Sequence, residues 1–335
     1  MEIRILNQAD VGRLLPMDQC IEVMSAALQA LSRGEAILPL RSTMWMPDRT
    51  GALVMMPAYL GHINAAGLKV ITSFAGNRGT RLDTHQGAVL LFDTKDGRLL
   101  AIIDATEITS IRTAAVTGVA TRLLARPEAS RLAILGAGTQ ARTHLDSMLR
   151  VRPIKRVRVW SLTVAESSRF AAAGVQRHQV PVEVAETAAE AVEGADLICT
   201  VTSTIEPILK GEWIRPGTHI NAIGSSIPFA RELDSEAVRK ARLFVDRKES
   251  TVNESGDFLL AKKEGAVDDS HIVGEIGDIL TGKLTGRRSP DEITLYKSLG
   301  LAIEDLASAH HIYIKAQEQG IGTVIEFGGS RHESS

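Results

Sequence analysis

The strand-like run at 132–135 ends in Gly136-Ala137-Gly138-Thr139-Gln140-Ala141 and leads straight into a helical pattern. A GxGxxA turn between a strand and a helix lets backbone N–H groups meet a pyrophosphate at the helix N-terminus. The surrounding order supports this reading over a glycine turn that merely packs strand on helix. Strands at 132–135, 157–160, 182–184, 196–202, 219–223 and 243–246 alternate with helix candidates after the glycine turn and at 164–174 and 188–192. That alternation implies a parallel sheet with helices on its faces, an α/β arrangement of the Rossmann, doubly wound type. The candidate dinucleotide contacts are Gly136, Gly138, Thr139, Gln140 and Ala141, with Thr202, Ser203 and Gly224 at the ends of later strands.

The second strand bears on which dinucleotide is taken. An acid at its tip grips the ribose hydroxyls in NAD binders, and its absence leaves room for a 2′-phosphate. Here the tip reads Trp160-Ser161-Leu162-Thr163, with Ser161 and Thr163 as phosphate donors and Arg169 in the following helix. NADPH is therefore the expected cofactor, with NADH as the alternative because Glu166 lies nearby. Thr163 and Glu166 also fit a capping box that would only start the next helix.

The N-terminal part has a different rhythm. A helix at 17–33 precedes short strands at 43–45, 52–58, 67–74, 86–93 and 99–104, and Asp96-Gly97 is the strongest hairpin signal among them. An antiparallel sheet is expected there. The recurrence of Ile108, Ile111, Ala115, Val119 and Leu123 predicts a long helix over 107–125 with one apolar face, bridging two domains. Ser289-Pro290-Asp291-Glu292 reads as a helix start, and a periodic helix at 301–319 ends at Gly320. The chain is thus expected to fold as a substrate-binding and dimerisation domain of α+β type at 1–120 plus 295–330. A Rossmann domain at 121–294 is inserted into it, and a flexible tail follows at 331–335.

With 335 residues, two cores are the reasonable division. A net charge of −2 provides no broad attraction to nucleic acid or an anionic membrane, and no apolar run reaches the ~20 residues that span a bilayer. Cys20 and Cys199 are far apart in apolar stretches, and the first residues carry no secretory signal, so a cytoplasmic protein is expected. His310-His311 has no metal-binding spacing, and no metal site is expected. Asn253 to Asp257, a run rich in polar residues with one glycine, suggests a mobile loop near the cofactor.

Arg41, Lys69 and Arg112 stand among apolar or small residues. Each also fits a solvated edge or a snorkelling stem, and spacing alone does not bring them together. The segments GLKVITSF (67–74), SIRTAAVTGVAT (110–121), LGAGTQARTH (135–144), HINAIGSSIPFARELD (219–234) and SPDEITLYKSLGLAIEDLASA (289–309) are more specific. In these the chain resembles the ornithine cyclodeaminase and μ-crystallin family of NAD(P)-dependent proteins, over nearly its whole length. The resemblance implies a homodimer, with the first domain and the C-terminal helix building the substrate site. It assigns Arg41, Lys69 and Arg112 to the substrate carboxylate, with Lys69 also near the reacting carbon. Thr84, Gln86 and Asp305 are weaker carry-overs, and Asp305 also fits a plain helix-surface acid.

One position departs from part of that family. Cyclodeaminases and many alanine dehydrogenases of the family carry an Asp two residues beyond the glycine that follows the strand at 219–223, whereas this turn reads Gly224-Ser225-Ser226. Serine provides no carboxylate base at neutral pH. The ketimine reductases of the family resemble this chain in lacking that acid. The resemblance therefore implies NAD(P)H-dependent reduction of a cyclic ketimine carboxylate, with Lys69 and Ser226 as catalytic residues and a small imino or amino acid as partner. Alanine dehydrogenase or another reductive aminase is the alternative, followed by a ligand-binding crystallin-like protein and ornithine cyclodeaminase.

Overall fold

The computed structural model describes residues 1–77 and 79–329, and the tail expected at 331–335 lies outside the described residues. The chain forms two compact units, residues 1–112 with 301 onward, and residues 113–300. In chain order the first unit gives β1 (Glu2–Leu6), α1 (Gln8–Leu14), α2 (Met17–Ser32), β2 (Ala36–Ile37), β3 (Ser42–Trp45), β4 (Ala52–Leu60), β5 (Ala65–Ser73), β6 (His85–Asp93) and β7 (Leu99–Asp104). Helix α3 (Ala105–Leu124) follows, and the division falls inside it. The second unit runs through β8 (Arg131–Leu135), α4 (Thr139–Val151), β9 (Arg156–Trp160), α5 (Val164–His178), β10 (Val182–Val184), α6 (Ala188–Val192), β11 (Leu197–Thr200) and β12 (His219–Ala222). It continues with α7 (Ser235–Lys240), β13 (Arg242–Val245), α8 (Lys248–Glu254), α9 (Gly256–Lys263), β14 (Ile272–Glu275), α10 (Ile276–Leu280) and β15 (Thr294–Lys297). The first unit is completed by α11 (Ala302–Gln319) and β16 (Thr323–Glu326).

The first sheet has the order β16-β1-β7-β6-β5-β4-β2, with β3 on β4. Strands β4 to β7 form the expected antiparallel run, and Gly97, at φ +75°, makes the tight turn between β6 and β7. Strand periodicity separates two faces. Lys69 sits opposite Met56 and Val89, and a Cβ on Gly67 would lie 2.8 Å from the Leu306 side chain of α11, so this face carries the helices. The alternate positions, including Met55, Leu68, Val70, Leu90, Phe92 and Ile102, are half-buried and apolar.

The second sheet is parallel throughout, in the order β10-β9-β8-β11-β12-β15-β13-β14. β11 and β12 are buried along their whole length, as strands covered on both faces must be. The order reverses between β8 and β11, which makes their carboxyl ends the ligand edge of such a sheet.

Several expectations change. Ser289 to Glu292 begins no helix: the Glu292 carboxylate accepts from Arg288 N at 2.6 Å and Arg242 Nη1 at 3.2 Å, and the chain enters β15. Because β15 pairs with β12 and β13, residues 295–300 belong to the second unit, as do 113–120. Helix α3 has no single apolar face, since every residue from Ser110 to Thr121 is buried. Two of its hydroxyls turn back on the helix, Thr109 Oγ1 donating to Ala105 O at 2.7 Å and Thr117 Oγ1 to Thr113 O at 2.9 Å. The loop expected at 253–257 is the junction of α8 and α9, where Asp257 is buried. Strands β1 and β16 extend the first sheet beyond the expected antiparallel run, β1 pairing parallel with β7. No helix among the described residues is long and apolar enough to cross a membrane.

Candidate active site

In the first unit, β5 carries Lys69 and the first turn of α11 carries Glu304 and Asp305, where the helix dipole favours acids. Lys69 Nζ donates to Asp305 Oδ1 at 3.0 Å across 236 residues of sequence. Arg112 Nε donates to the same oxygen at 3.0 Å, and its Nη1 donates to Glu304 Oε2 at 2.7 Å. All four side chains are buried, so Asp305 is no helix-surface acid. Asp305 Oδ2 has no hydrogen-bond partner among the described residues.

Burial pushes the Lys69 ammonium down to about 8, against the pull of Asp305, and the Arg112 and Arg41 charges add to the depression. Arg112 moves the other way: burial opposes its charge, but Asp305 and Glu304 outweigh it and hold the guanidinium above its usual value. Arg41, half-buried just before β3, thus acts on Lys69 through its charge. Lys69 and Arg112 thus meet two carboxylates, with the Arg41 charge acting on Lys69, and cations so oriented suit a carboxylate ligand.

Thr84 stands at the mouth of β6, its hydroxyl 3.1 Å from His85 Nδ1 and its carbonyl accepting from Phe74 N at 2.8 Å. Gln86 Nε2 donates to Asp83 O at 3.1 Å, so this side chain folds back on its own turn. His85 Nε2 lies 3.3 Å from Ser73 Oγ, and burial and the Lys69 charge both lower its pKa. Neither His85 nor Glu304 announces itself by spacing.

In the second unit, Gly136 follows β8 at φ +121°, and its N–H donates to Trp160 O at 2.7 Å. A Cβ there would lie 2.8 Å from Val201 O, which requires glycine where the turns after β8 and β11 meet. Gly138 is the N-cap of α4 and has no side chain to cap it, and a Cβ on it would meet nothing within 4 Å. Open space thus borders Gly138 at the start of α4, where a helix leaves N–H groups without intrahelical partners, and this fits the pyrophosphate of a dinucleotide. Thr139 is exposed, and its hydroxyl accepts from Arg142 Nη2 at 3.2 Å. Gln140 O accepts from His144 Nδ1 at 2.7 Å, while buried Gln140 Oε1 has no hydrogen-bond partner among the described residues. Ala141 is fully buried, where the helix packs on the sheet.

At the tip of β9 the Ser161 hydroxyl is engaged locally, donating to Thr163 O at 2.9 Å and lying 2.8 Å from Ser167 Oγ. Thr163 is the N-cap of α5 but accepts no capping hydrogen bond, so the alternative reading, a capping box with Glu166, does not form. Thr163 and Arg169 are exposed.

The turns after β11 and β12 rest on a buried carboxylate. Glu232 Oε1 accepts from Thr202 N at 2.6 Å and Thr202 Oγ1 at 2.7 Å, and Oε2 accepts from Thr200 Oγ1 and Gly224 N, each at 2.7 Å. Asp257 Oδ1 takes the N–H groups of Glu232 and Leu233 at 2.8 and 3.0 Å, and its Oδ2 pairs with Lys297 Nζ at 2.8 Å. Lys297 Nζ also donates to Ser225 O at 2.5 Å. Burial and the Asp257 charge raise the Glu232 pKa. Ser226 follows this anchored carbonyl and is half-buried, and Ser203 lies beyond Thr202.

A family model, ornithine cyclodeaminase/mu-crystallin, matches residues 1–320. The chain belongs to that family. Among curated relatives, the ketimine reductase mu-crystallin of Mus musculus is 40% identical over 296 residues, 88% of this chain and 90% of that protein. Among solved structures, the Thermococcus litoralis Δ1-pyrroline-2-carboxylate reductase in complex with NADH and L-proline superposes with a TM-score of 0.94 at 40% identity, covering 96% of this chain and 99% of that one. An archaeal alanine dehydrogenase dimer with bound NAD gives 0.93 at 34% identity, covering 98% and 100%. The family thus includes NAD-binding members that match both units described here.

Proposed function

We propose that the chain reduces a cyclic ketimine carboxylate, pyrroline-2-carboxylate or piperideine-2-carboxylate, to L-proline or L-pipecolate, with NADPH preferred over NADH. The observation that carries this reading is Ser226, a neutral hydroxyl where a cyclodeaminase needs a carboxylate. Without that acid, nothing at this turn draws a proton from an amine or a water, and elimination of ammonia is disfavoured. Relatives named as ketimine and pyrroline-2-carboxylate reductases support the same choice.

The first unit takes the substrate carboxylate. Lys69 and Arg112, already oriented by Asp305 and Glu304, present their remaining N–H donors, and Arg41 adds its charge. When bound, a reduced nicotinamide supplies the hydride that the imine carbon accepts. The imine nitrogen gains a proton from Lys69, whose pKa of about 8 leaves it charged at neutral pH but a better acid than an ordinary lysine. A protonated imine is electrophilic by itself, so positioning supplies much of the acceleration. Glycines 136 and 138 and the open end of α4 hold the pyrophosphate, with Thr163 and Arg169 toward the 2′-phosphate.

The half-buried apolar face of the first sheet favours a homodimer, because a sheet apolar on both sides leaves a patch that water penalises. The related alanine dehydrogenase is described as a dimer. Buried free cysteines at 20 and 199 suit the reducing cytoplasm.

The test is consumption of NADPH and of NADH with pyrroline-2-carboxylate, beside pyruvate plus ammonia and beside ornithine. Rapid consumption with the cyclic imine, faster with NADPH, is expected. Consumption only with pyruvate plus ammonia would replace this reading by alanine dehydrogenase, and ammonia release from ornithine by cyclodeaminase.

A further inference from the structure

We propose that Glu232 is a positioning residue for the dinucleotide, fixing the turns after β11 and β12 in the shape that receives it. The inference rests on the proposed dinucleotide site of the second unit. Glu232 is fully buried, and four donors, from the last residue of β11 and from the turns after β11 and β12, converge on its two oxygens. Three of those donors belong to Thr202 and Gly224, at the carboxyl edge of the parallel sheet where ligands of such folds bind. Gly224 must be glycine at this crossing, since a Cβ would lie 2.0 Å from Thr202 O and 2.5 Å from Glu232 Oε1. The carboxylate, the turn and the neighbouring turn are thus built to one close fit.

The acid is itself held. Its carbonyl accepts from Ile208 and Leu209 N–H at 2.8 and 3.0 Å, and its N–H donates to Asp257, which pairs with Lys297. Glu232, Asp257 and Lys297 together bury one net negative charge. Apolar residues of the same volume commonly serve stability as well as a buried ionic group or better, so stability alone gives no reason for this arrangement. The reason offered by the geometry is directional: only an ionised carboxylate accepts from four donors at once. A glutamine would turn its NH2 toward one pair of donors and release one turn.

The experiment compares wild type, Glu232→Gln and Thr200→Val. Binding of NADH and NADPH is measured by calorimetric titration, and the KM for each substrate is measured with the other saturating. Glu232→Gln is expected to raise the dinucleotide Kd about tenfold or more, the scale of a lost hydrogen bond to a charged group. The KM for the imine at saturating dinucleotide should stay within about twofold, a split that a general loss of folding does not produce. Thr200→Val keeps its shape and removes one donor, and should raise the Kd about threefold, which preserves the test if the glutamine variant does not fold. Unchanged dinucleotide affinity in a folded variant overturns the proposal alone. If wild type binds neither dinucleotide, the underlying site assignment fails and the proposal with it.

Discussion

Each unit buries a cluster of charges, and the two differ in balance. In the first, Lys69 and Arg112 match Glu304 and Asp305, and the charge of half-buried Arg41 acts on Lys69. In the second, Glu232 and Asp257 outnumber Lys297. The negative excess is met inside the protein, by the backbone N–H groups of Thr202, Gly224, Glu232 and Leu233. In the first unit Lys69 and Arg112 are already turned to the two carboxylates, and in the proposed function their remaining N–H donors receive the carboxylate of the substrate. The second cluster shapes the chain around it, while the first is the one proposed to take a ligand.

The sharpest way to break that comparison is Arg112→Met. It leaves Glu304 and Asp305 without their guanidinium, and loss of one partner from a buried pair costs about 3–5 kcal/mol of stability. The melting temperature should fall and kcat/KM for the imine should drop about 10³-fold, while a calorimetric titration shows unchanged dinucleotide Kd. Dinucleotide affinity falling in step would mean that the two clusters are not separate devices.

The converse variant is Gly136→Ala. Its φ of +121° and the 2.8 Å approach to Val201 O strain any side chain, at about 1–3 kcal/mol for the backbone alone. Dinucleotide Kd should rise between about tenfold and a hundredfold, with the imine KM unmoved at saturating dinucleotide. An unaltered Kd would remove the glycine turn from the binding site.

Acidity gives the smallest effect. Lys69 carries its proton below about 8 and loses it above. Deprotonation removes both a positive charge from the carboxylate site and the proton for the imine nitrogen. The rate kcat/KM should therefore fall about tenfold per pH unit above that value. In Lys69→Arg that limb should disappear from the measured range, because a guanidinium stays charged. A limb that persists assigns the titration to another group.

The glycine turn was legible because its parts are contiguous: strand, turn and helix N-terminus lie within 132–141. The carboxylate cluster was not legible from spacing, since Lys69 and Asp305 meet only through the register of β5 against α11. There the family resemblance supplied what periodicity does not. Ser289 to Glu292 imitates a helix start, and that local signal concealed β15, the strand that places Lys297 in the core. A lysine inside Leu295-Tyr296-Lys297 was the available clue, as lysines in covered strands need a buried partner. Glu232 gave less warning, because two of its four donors are backbone N–H groups that no residue type reveals. At the tip of β9, Thr163 and Glu166 match a capping box by type, yet the threonine hydroxyl accepts no hydrogen bond.

The most direct measurement uses NADPH carrying deuterium at its transferable position, with pyrroline-2-carboxylate as substrate, and locates the label by nuclear magnetic resonance. L-proline with deuterium on carbon 2 is the expected product. Unlabelled proline, or label recovered only in alanine when pyruvate and ammonia are supplied, would contradict it.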